Sequence, residues 1–217
     1  MLVGERMTRP VITVRPETPI QDALQLMRTD HIRRAPVVDE QGRLVGIVAE
    51  RDLLEASPSD ATSLSIWEVH YLLSKITVER IMTRKVVTVT EDMPIEEAAR
   101  VMADNKIGGL PVMRDNEVVG IVTETDLFKV FLELLGAREA GVRLSALIPD
   151  QPGELAKLTT AITKAGGNIL ALVVFLGEST ENRLVTTKVE GIDQATLRKL
   201  VEPLVERIVD LRTTRAS

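Results

Sequence analysis

Val45-Gly46-Ile47-Val48-Ala49-Glu50-Arg51-Asp52-Leu53 is written twice in this chain, the second time as Val119-Gly120-Ile121-Val122-Thr123-Glu124-Thr125-Asp126-Leu127. Each copy is a short β-type run that ends, turns and starts a helix with an acid in its first turn. Upstream the match continues at an offset of 75 rather than 74. Met7-Thr8-Arg9 pairs with Met82-Thr83-Arg84, Pro19-Ile20 with Pro94-Ile95, and Pro36-Val37 with Pro111-Val112. From Met7 to Val38, 13 of 32 positions are identical, which marks an internal repeat. The offset changes where Asp39-Glu40-Gln41-Gly42 faces Arg114-Asp115-Asn116, so a shortened turn accounts for it.

Both repeats read alike. Val11–Val14 and Val86–Val89 are expected as strands, each leading into a helix with Pro19 or Pro94 in its first turn. Thr18 is placed to cap the first helix. Ile20, Ala23, Leu24, Met27 and Ile95, Ala98, Ala99, Met102 recur at helical spacing and predict the buried faces. Strands follow around Pro36–Val38 and Leu44–Val48, and around Pro111–Met113 and Val118–Val122. Helices begin near Asp52 and Asp126, the second running over Leu127–Leu135 to a terminating Gly136. A β-α-β-β-α unit of about 50 residues cannot bury its sheet alone. Two copies packed as a pseudo-two-fold pair can, and the packing creates two equivalent clefts. The boundaries read as repeat 1 over 1–56, a helical linker over 57–77 and repeat 2 over 78–136. In the insert, Leu64, Trp67, Tyr71, Leu72 form one helical stripe and Ile66, Val69, Leu73, Ile76 another. A helix apolar on two faces is buried on two sides, against its own domain or in a dimer interface.

From 141 to 214 the pattern changes. Arg143–Ile148, Ile169–Leu176, Arg183–Val189 and Ile208–Thr213 read as strands. Helices carry Leu155, Leu158, Ile162 and Leu197, Leu200, Val201, Leu204, the second capped by Asp193. The order β-α-β-β-α-β is the ferredoxin-like split βαβ arrangement. The fold class is therefore mixed α+β: a pseudo-two-fold pair followed by a ferredoxin-like domain. Free sheet edges in the last domain favour a homodimer.

Composition narrows the function. The 217 residues hold no cysteine and only two histidines, His31 and His70. Disulfides, thiolate metal sites and cysteine nucleophiles are excluded, and a metal cluster is not expected. A net charge of −5 and 2% aromatic content argue against nucleic acid as a partner. No apolar run is long enough for a membrane span and no signal-peptide core is visible near the N-terminus, so a cytoplasmic protein is expected. No G-x-S-x-G, H-E-x-x-H or Walker motif is present, so no enzyme and no catalytic cofactor are expected.

The repeated motif carries the chemistry. A helix N-terminus offers backbone N–H groups to an anion such as phosphate. Thr123 and Thr125 add hydroxyl donors, and Asp52 and Asp126 are suited to accept from a ribose diol. The simpler reading is that the two aspartates only complement their helix dipoles. Their recurrence at equivalent places favours a ligand.

The Met-Thr-x-x-Val-x-Thr-Val openings and the Gly-Ile-Val-Thr-Glu-Thr-Asp ending resemble a tandem pair of CBS domains, a Bateman module, over roughly Val3–Leu135. The resemblance implies an adenosyl effector (AMP, ADP, ATP or S-adenosylmethionine) in the clefts between repeats. It places Thr123 and Asp126 at phosphate and ribose. It places Thr13-Val14, Thr88-Val89, Arg33-Arg34-Ala35 and Gly108-Gly109-Leu110 around the base and phosphates. Ala49 departs from the pattern by removing one hydroxyl, and Arg51 stands where the second repeat has Thr125. Arg33-Arg34 faces Gly108-Gly109 in the alignment, so the clefts are unequal and a polyphosphate would lie near the arginines.

Asp150-x-Pro152-Gly153-x-Leu155 and Gly166-Gly167-Asn168-Ile169 make the last unit resemble an ACT domain. That implies side-by-side pairing and an amino-acid site at Asp150, Gly153, Asn168 and Ile169. The order CBS-CBS-ACT, with Leu72-Leu73-Ser74-Lys75-Ile76-Thr77-Val78 before the second repeat, resembles the acetoin utilization protein B family. Membership implies a link to acetoin catabolism, although no residue encodes acetoin chemistry. The expected function is a non-catalytic regulatory sensor that acts on an unknown protein partner. The alternative is a protein-interaction or dimerisation module whose clefts are vestigial, which Ala49 favours.

Overall fold

The computed structural model describes residues 1–56 and 75–216, in two compact units, Met1–Leu127 and Phe128–Ser217. The stripes expected over Leu64–Leu73 and His70 lie outside the described residues.

In the first unit, helices α1 (Val3–Arg6) and α2 (Ile20–Thr29) precede strands β1 (Arg34–Val38) and β2 (Leu44–Ala49) and helix α3 (Glu50–Glu55). The second repeat has strand β3 (Val89–Thr90), helix α4 (Ile95–Asn105), strands β4 (Gly109–Arg114) and β5 (Glu117–Thr123) and helix α5 (Glu124–Leu134). The hairpins β1-β2 and β4-β5 are antiparallel and each carries one register shift, at Val37/Val38 and Val112/Met113. The apolar faces expected for the helices are buried: Ile20, Ala23, Leu24, Met27 on α2 and Ile95, Ala98, Met102 on α4. Ala99 is only half-buried.

Two expectations are corrected. Thr18 is not a cap: α2 starts after Pro19, one residue too late. The Thr18 hydroxyl instead accepts from the Arg15 N–H at 3.1 Å, and its carbonyl accepts from Val78 N–H at 2.9 Å. The leading strands are also much shorter than Val11–Val14 and Val86–Val89. Only Val14 bridges Val37, and only Val89–Thr90 pair with β4, both in parallel.

The reason is an exchange between repeats. Thr8 and Ile121 trade backbone hydrogen bonds at 2.8 and 3.2 Å, and Thr83 and Ile47 do the same at 2.9 and 3.0 Å. Each leading segment therefore pairs with the last strand of the other repeat before crossing to its own sheet. The cores follow suit. Val78 and Met82 are buried with Ile20, Val37 and Leu53, and Val3 and Met7 with Ile95, Leu110 and Val122. Burying an aliphatic side chain of this size is worth about 1.5–3 kcal/mol, so the exchange is a substantial share of the stability.

The second unit places strands β6 (Gly141–Pro149), β7 (Asn168–Leu176), β8 (Asn182–Glu190) and β9 (Arg207–Thr214) in the order β7-β8-β6-β9, all antiparallel. Helices α6 (Glu154–Lys164) and α7 (Gln194–Val201) supply Leu158, Ile162, Leu197 and Val201 to a core with Leu144, Ala146 and Ile148. This is the split βαβ order read from the sequence. Asp193 caps α7 by accepting from Thr196 N–H at 2.9 Å. That bond and the Thr196 hydroxyl hold the Asp193 carboxyl below its ordinary pKa. Leu204, expected on the helix, falls in a following 3-10 turn, Glu202–Leu204, with Pro203 in its middle. Buried Lys188 on β8 donates to the carbonyls of Gly136 at 2.7 Å and Glu139 at 2.8 Å, where the chain leaves α5 with Gly136 at φ +55°. No helix among the described residues is long and apolar enough to cross a membrane.

Candidate functional site

The exchange builds a cleft of about 360 Å³ from both repeats. Its first wall is the end of β2 and the start of α3, with Ile47, Ala49, Arg51 and Asp52, together with Arg34 of β1. The rest of the lining comes from the second repeat: Thr83, Lys85, Val86 and Val87 of the crossing segment, and Lys106 to Gly109 where α4 passes into β4. Asp52 is half-buried, and one carboxylate oxygen accepts from the Ala49 N–H at 3.3 Å.

Four of the sequence-derived residues, Arg34, Asp52, Gly108 and Gly109, thus meet in one cleft. Thr88 and Val89 do not line it; the preceding Val86 and Val87 do. Val14, Ala35, Val89 and Leu110 have side chains buried in the two cores, so only their backbone is available to a ligand. Thr13 is half-buried beside Val14. Thr83, Lys85 and Lys106 were missed. Thr83 had already been noticed as a repeat marker, but its place on the cleft follows from the exchange, which no local pattern announces.

Asp126 is arranged differently. Its Oδ2 accepts from the Thr123 N–H at 3.0 Å and from the Thr123 hydroxyl at 2.8 Å, and the residue is buried. The threonine and aspartate read as phosphate and ribose ligands are therefore bonded to each other across the first turn of α5. Thr125 is exposed, and its hydroxyl accepts from Arg33 Nη2 of the first repeat at 3.3 Å.

Arg34 explains why the repeats differ at Arg33-Arg34 and Gly108-Gly109. Its guanidinium lies over Gly108 and reaches Glu124 Oε2 at 3.9 Å. A Cβ on Gly108 would collide with Arg34 Nη2 and would stand 2.5 Å from Glu124 Oε2. A Cβ on Gly109 would sit 3.1 Å from Arg34 Cδ. The side chain of one repeat fills the space that its counterpart would need, so a single arginine pair fits.

In the second unit Asp150 and Asn168 lie at opposite ends of the sheet. Asp150 follows the end of β6, where Pro149 pairs with Asn182, and accepts from Arg183 Nε at 2.9 Å. That pairing raises the Arg183 pKa above its ordinary value. Gly153, with φ +94°, turns the chain into α6 at the same end. Asn168 and Ile169 start β7 at the other end, where Asn168 donates to Glu190 Oε1 at 2.7 Å. One copy of the chain does not bring the four residues together.

Comparison with known proteins agrees with this geometry. The CBS domain family model matches residues 3–59 and 78–133, and a TTHA0829-like ACT domain model matches 140–212. L-aspartate semialdehyde sulfurtransferase of Methanocaldococcus jannaschii is 35% identical over 131 residues, 60% of this chain but 23% of that protein. The CBS domain-containing protein DDB_G0289609 of Dictyostelium discoideum is 32% identical over 62% of this chain and 94% of its own length. Among solved structures, the CBS domain pair of protein MJ0100, in complex with 5-methylthioadenosine and S-adenosyl-L-methionine, is 34% identical, with a TM-score of 0.52 over 64% of this chain and 98% of that chain. CBSX2 in complex with AMP is 29% identical, with a TM-score of 0.52 over 61% and 97%. A protein assigned to acetoin utilization (AcuB) from Vibrio cholerae is 32% identical, with a TM-score of 0.52 over 63% and 93%. With two matched repeats, the exchanged segments and the split βαβ unit behind them, the chain belongs to the CBS-domain family, as a tandem CBS pair followed by an ACT domain.

Proposed function

We propose that the chain is a non-catalytic regulatory sensor that binds an adenosyl ligand between its CBS repeats. The observation that carries this is the cleft of about 360 Å³ whose two walls come from different repeats, with Asp52 on one and Thr83 and Gly108 on the other. That volume is in the range of small-molecule sites. The complexes of the MJ0100 pair and CBSX2 support an adenosyl group as occupant. A ligand touching both walls stabilises one arrangement of the repeats over others, which is what an effector needs in order to signal. The likeness to the Vibrio cholerae protein supports a role in acetoin utilization.

The ACT domain has a free edge at β7, which pairs only with β8 and exposes Val174, Phe175 and Leu176. Antiparallel pairing of β7 with the same strand of a second copy would set Asn168 of the partner subunit beside the Asp150 end. A homodimer of this kind would complete an amino-acid site that one copy leaves split.

The test is a thermal-shift panel of AMP, ADP, ATP and S-adenosylmethionine on wild type, Asp52→Ala and Asp126→Ala. Ligand at about 100 times its Kd stabilises by roughly 2.7 kcal/mol. A rise in Tm with an adenosyl ligand, reduced in one of the variants, supports the sensor. No rise with any of them leaves an interaction module with vestigial clefts, the reading that Ala49 favours.

A further inference from the structure

We infer that the Asp52 cleft selects an adenosyl ligand carrying an oligophosphate chain over AMP and over S-adenosylmethionine. The inference rests on the reading of the cleft as an adenosyl site and adds the charge of the ligand. The chain as a whole is acidic, at −5, yet among the described residues four cations line this one cleft, Arg34, Arg51, Lys85 and Lys106, with one carboxylate, that of Asp52.

The four cations are not equivalent. Arg51 is held by Glu55 at 2.7 Å and Arg34 lies 3.9 Å from Glu124, so each has a carboxylate near it. The side-chain ammonium groups of Lys85 and Lys106 have no hydrogen-bond or ion-pair partner among the described residues. Both come from the second repeat and line the same cleft as Asp52 of the first. Lys106 also occupies a left-handed backbone position, φ +55°, where glycine or asparagine is the low-energy choice. Placing a long cation there brings a charge to the cleft at a local backbone cost.

The physical consequence follows from Coulomb interaction in a partly enclosed space. Each added phosphate brings negative charge to a cleft with two ammonium groups that no carboxylate pairs among the described residues, and a charge-assisted hydrogen bond contributes more than a neutral one. S-adenosylmethionine instead brings a sulfonium cation, which the same groups repel. Asp52, the acceptor that the first repeat contributes, is left to accept from the ribose.

The experiment is calorimetric titration of the full-length protein with ATP, ADP, AMP and S-adenosylmethionine, without divalent metal, at low and high NaCl. It is repeated on Lys85→Ala and Lys106→Ala. The expected order is ATP, then ADP, then AMP, with S-adenosylmethionine weakest and ATP at least about tenfold tighter than AMP. Salt weakens ATP most. Each lysine variant, with wild-type Tm, loses about fivefold to tenfold for ATP and no more than about twofold for AMP. Equal affinity for ATP and AMP, S-adenosylmethionine as tight as ATP, or lysine variants that bind ATP as wild type does would overturn the charge selection while leaving the adenosyl site standing. No binding by any of the four overturns both.

Discussion

Met82 lies directly over Gly46: a Cβ built on the glycine would stand 2.5 Å from the methionine sulfur and 2.9 Å from its Cγ. Met7 lies in the same way over Gly120. The glycine of each repeated Val-Gly-Ile-Val run is the place where the other repeat's leading segment rests. Gly46→Ala should destabilise the protein by about 1–2 kcal/mol through overpacking, and shortening the contact with Met82→Ala in the same chain should recover part of that loss. Urea denaturation of the single and double variants reads the coupling. Purely additive effects would mean that the glycine has some other role.

Asp126 has a structural role that a binding assay must allow for. Its carboxylate accepts both Thr123 bonds at the start of α5, so Asp126→Ala removes a helix cap as well as any ligand contact. The ligand-free Tm should fall by an amount corresponding to about 1–2 kcal/mol. Asp52 makes one longer bond, at 3.3 Å, so Asp52→Ala should cost less. Equal losses in the two ligand-free variants would contradict this account.

Gly108→Ala tests the place of Arg34. The methyl group cannot share the space of the guanidinium, so Arg34 must leave its position beside Glu124. The fold should survive, because the displaced group is the end of a flexible side chain. The affinity of the neighbouring cleft for ATP should change by about fivefold or more, since a charge-assisted contact carries roughly 1.5–3 kcal/mol. A change in Tm with unaltered affinity would place Arg34 outside the ligand's reach.

Lys188 is an internal cap. Its ammonium donates to two main-chain carbonyls in the turn after α5. Lys188→Met keeps the aliphatic stem and leaves both acceptors without that donor, which should cost about 2–3 kcal/mol. Hydrogen exchange of the amides around Gly136 to Glu139 should rise more than that of β9. Uniform loss of protection would show that the contact is not local.

Acid should loosen the ACT domain. Arg212 and Arg143 hold the Asp210 carboxyl below its ordinary pKa, with Arg143 Nη1 at 2.7 Å. A lowered folded-state pKa stabilises above the unfolded value, near 3.9, and the stabilisation is lost as pH falls through the folded value. Asp210→Asn should therefore lower Tm at pH 7 and converge on wild type in strong acid. A constant difference between the two proteins across that window would rule out the linkage.

Much of this was legible in the residues. The 75-residue offset predicted two equivalent units, and the spacing of Ile20, Ala23, Leu24 and Met27 predicted the buried face of α2. The order of strands and helices after Gly141 predicted the split βαβ sheet. The exchange was not legible, because the pairing of Thr8 with Ile121 spans more than half the chain and local periodicity carries no information on it. That is why local pattern does not place Thr83, Lys85 and Lys106 on the cleft, and why it overextends the leading strands. Asp150 and Asn168 were grouped by motif, whereas strand register separates them along the sheet.

The crossing of the leading segments also orders events during synthesis. Val3 and Met7 leave the ribosome well before Val122, yet they pack with it in one core. The first repeat in turn remains open until Val78 and Met82 emerge. Neither half gains by closing early, so the pair is built to fold as one cooperative event. A gene carrying a single repeat would make a chain whose leading segment finds no acceptor except the last strand of another copy. Its product would be a homodimer held by the same contacts. Duplication and fusion of such a gene turn the dimer into one chain and release the halves from identity. Arg34 could then arise opposite a glycine, and Ala49 could replace the hydroxyl that Thr123 keeps.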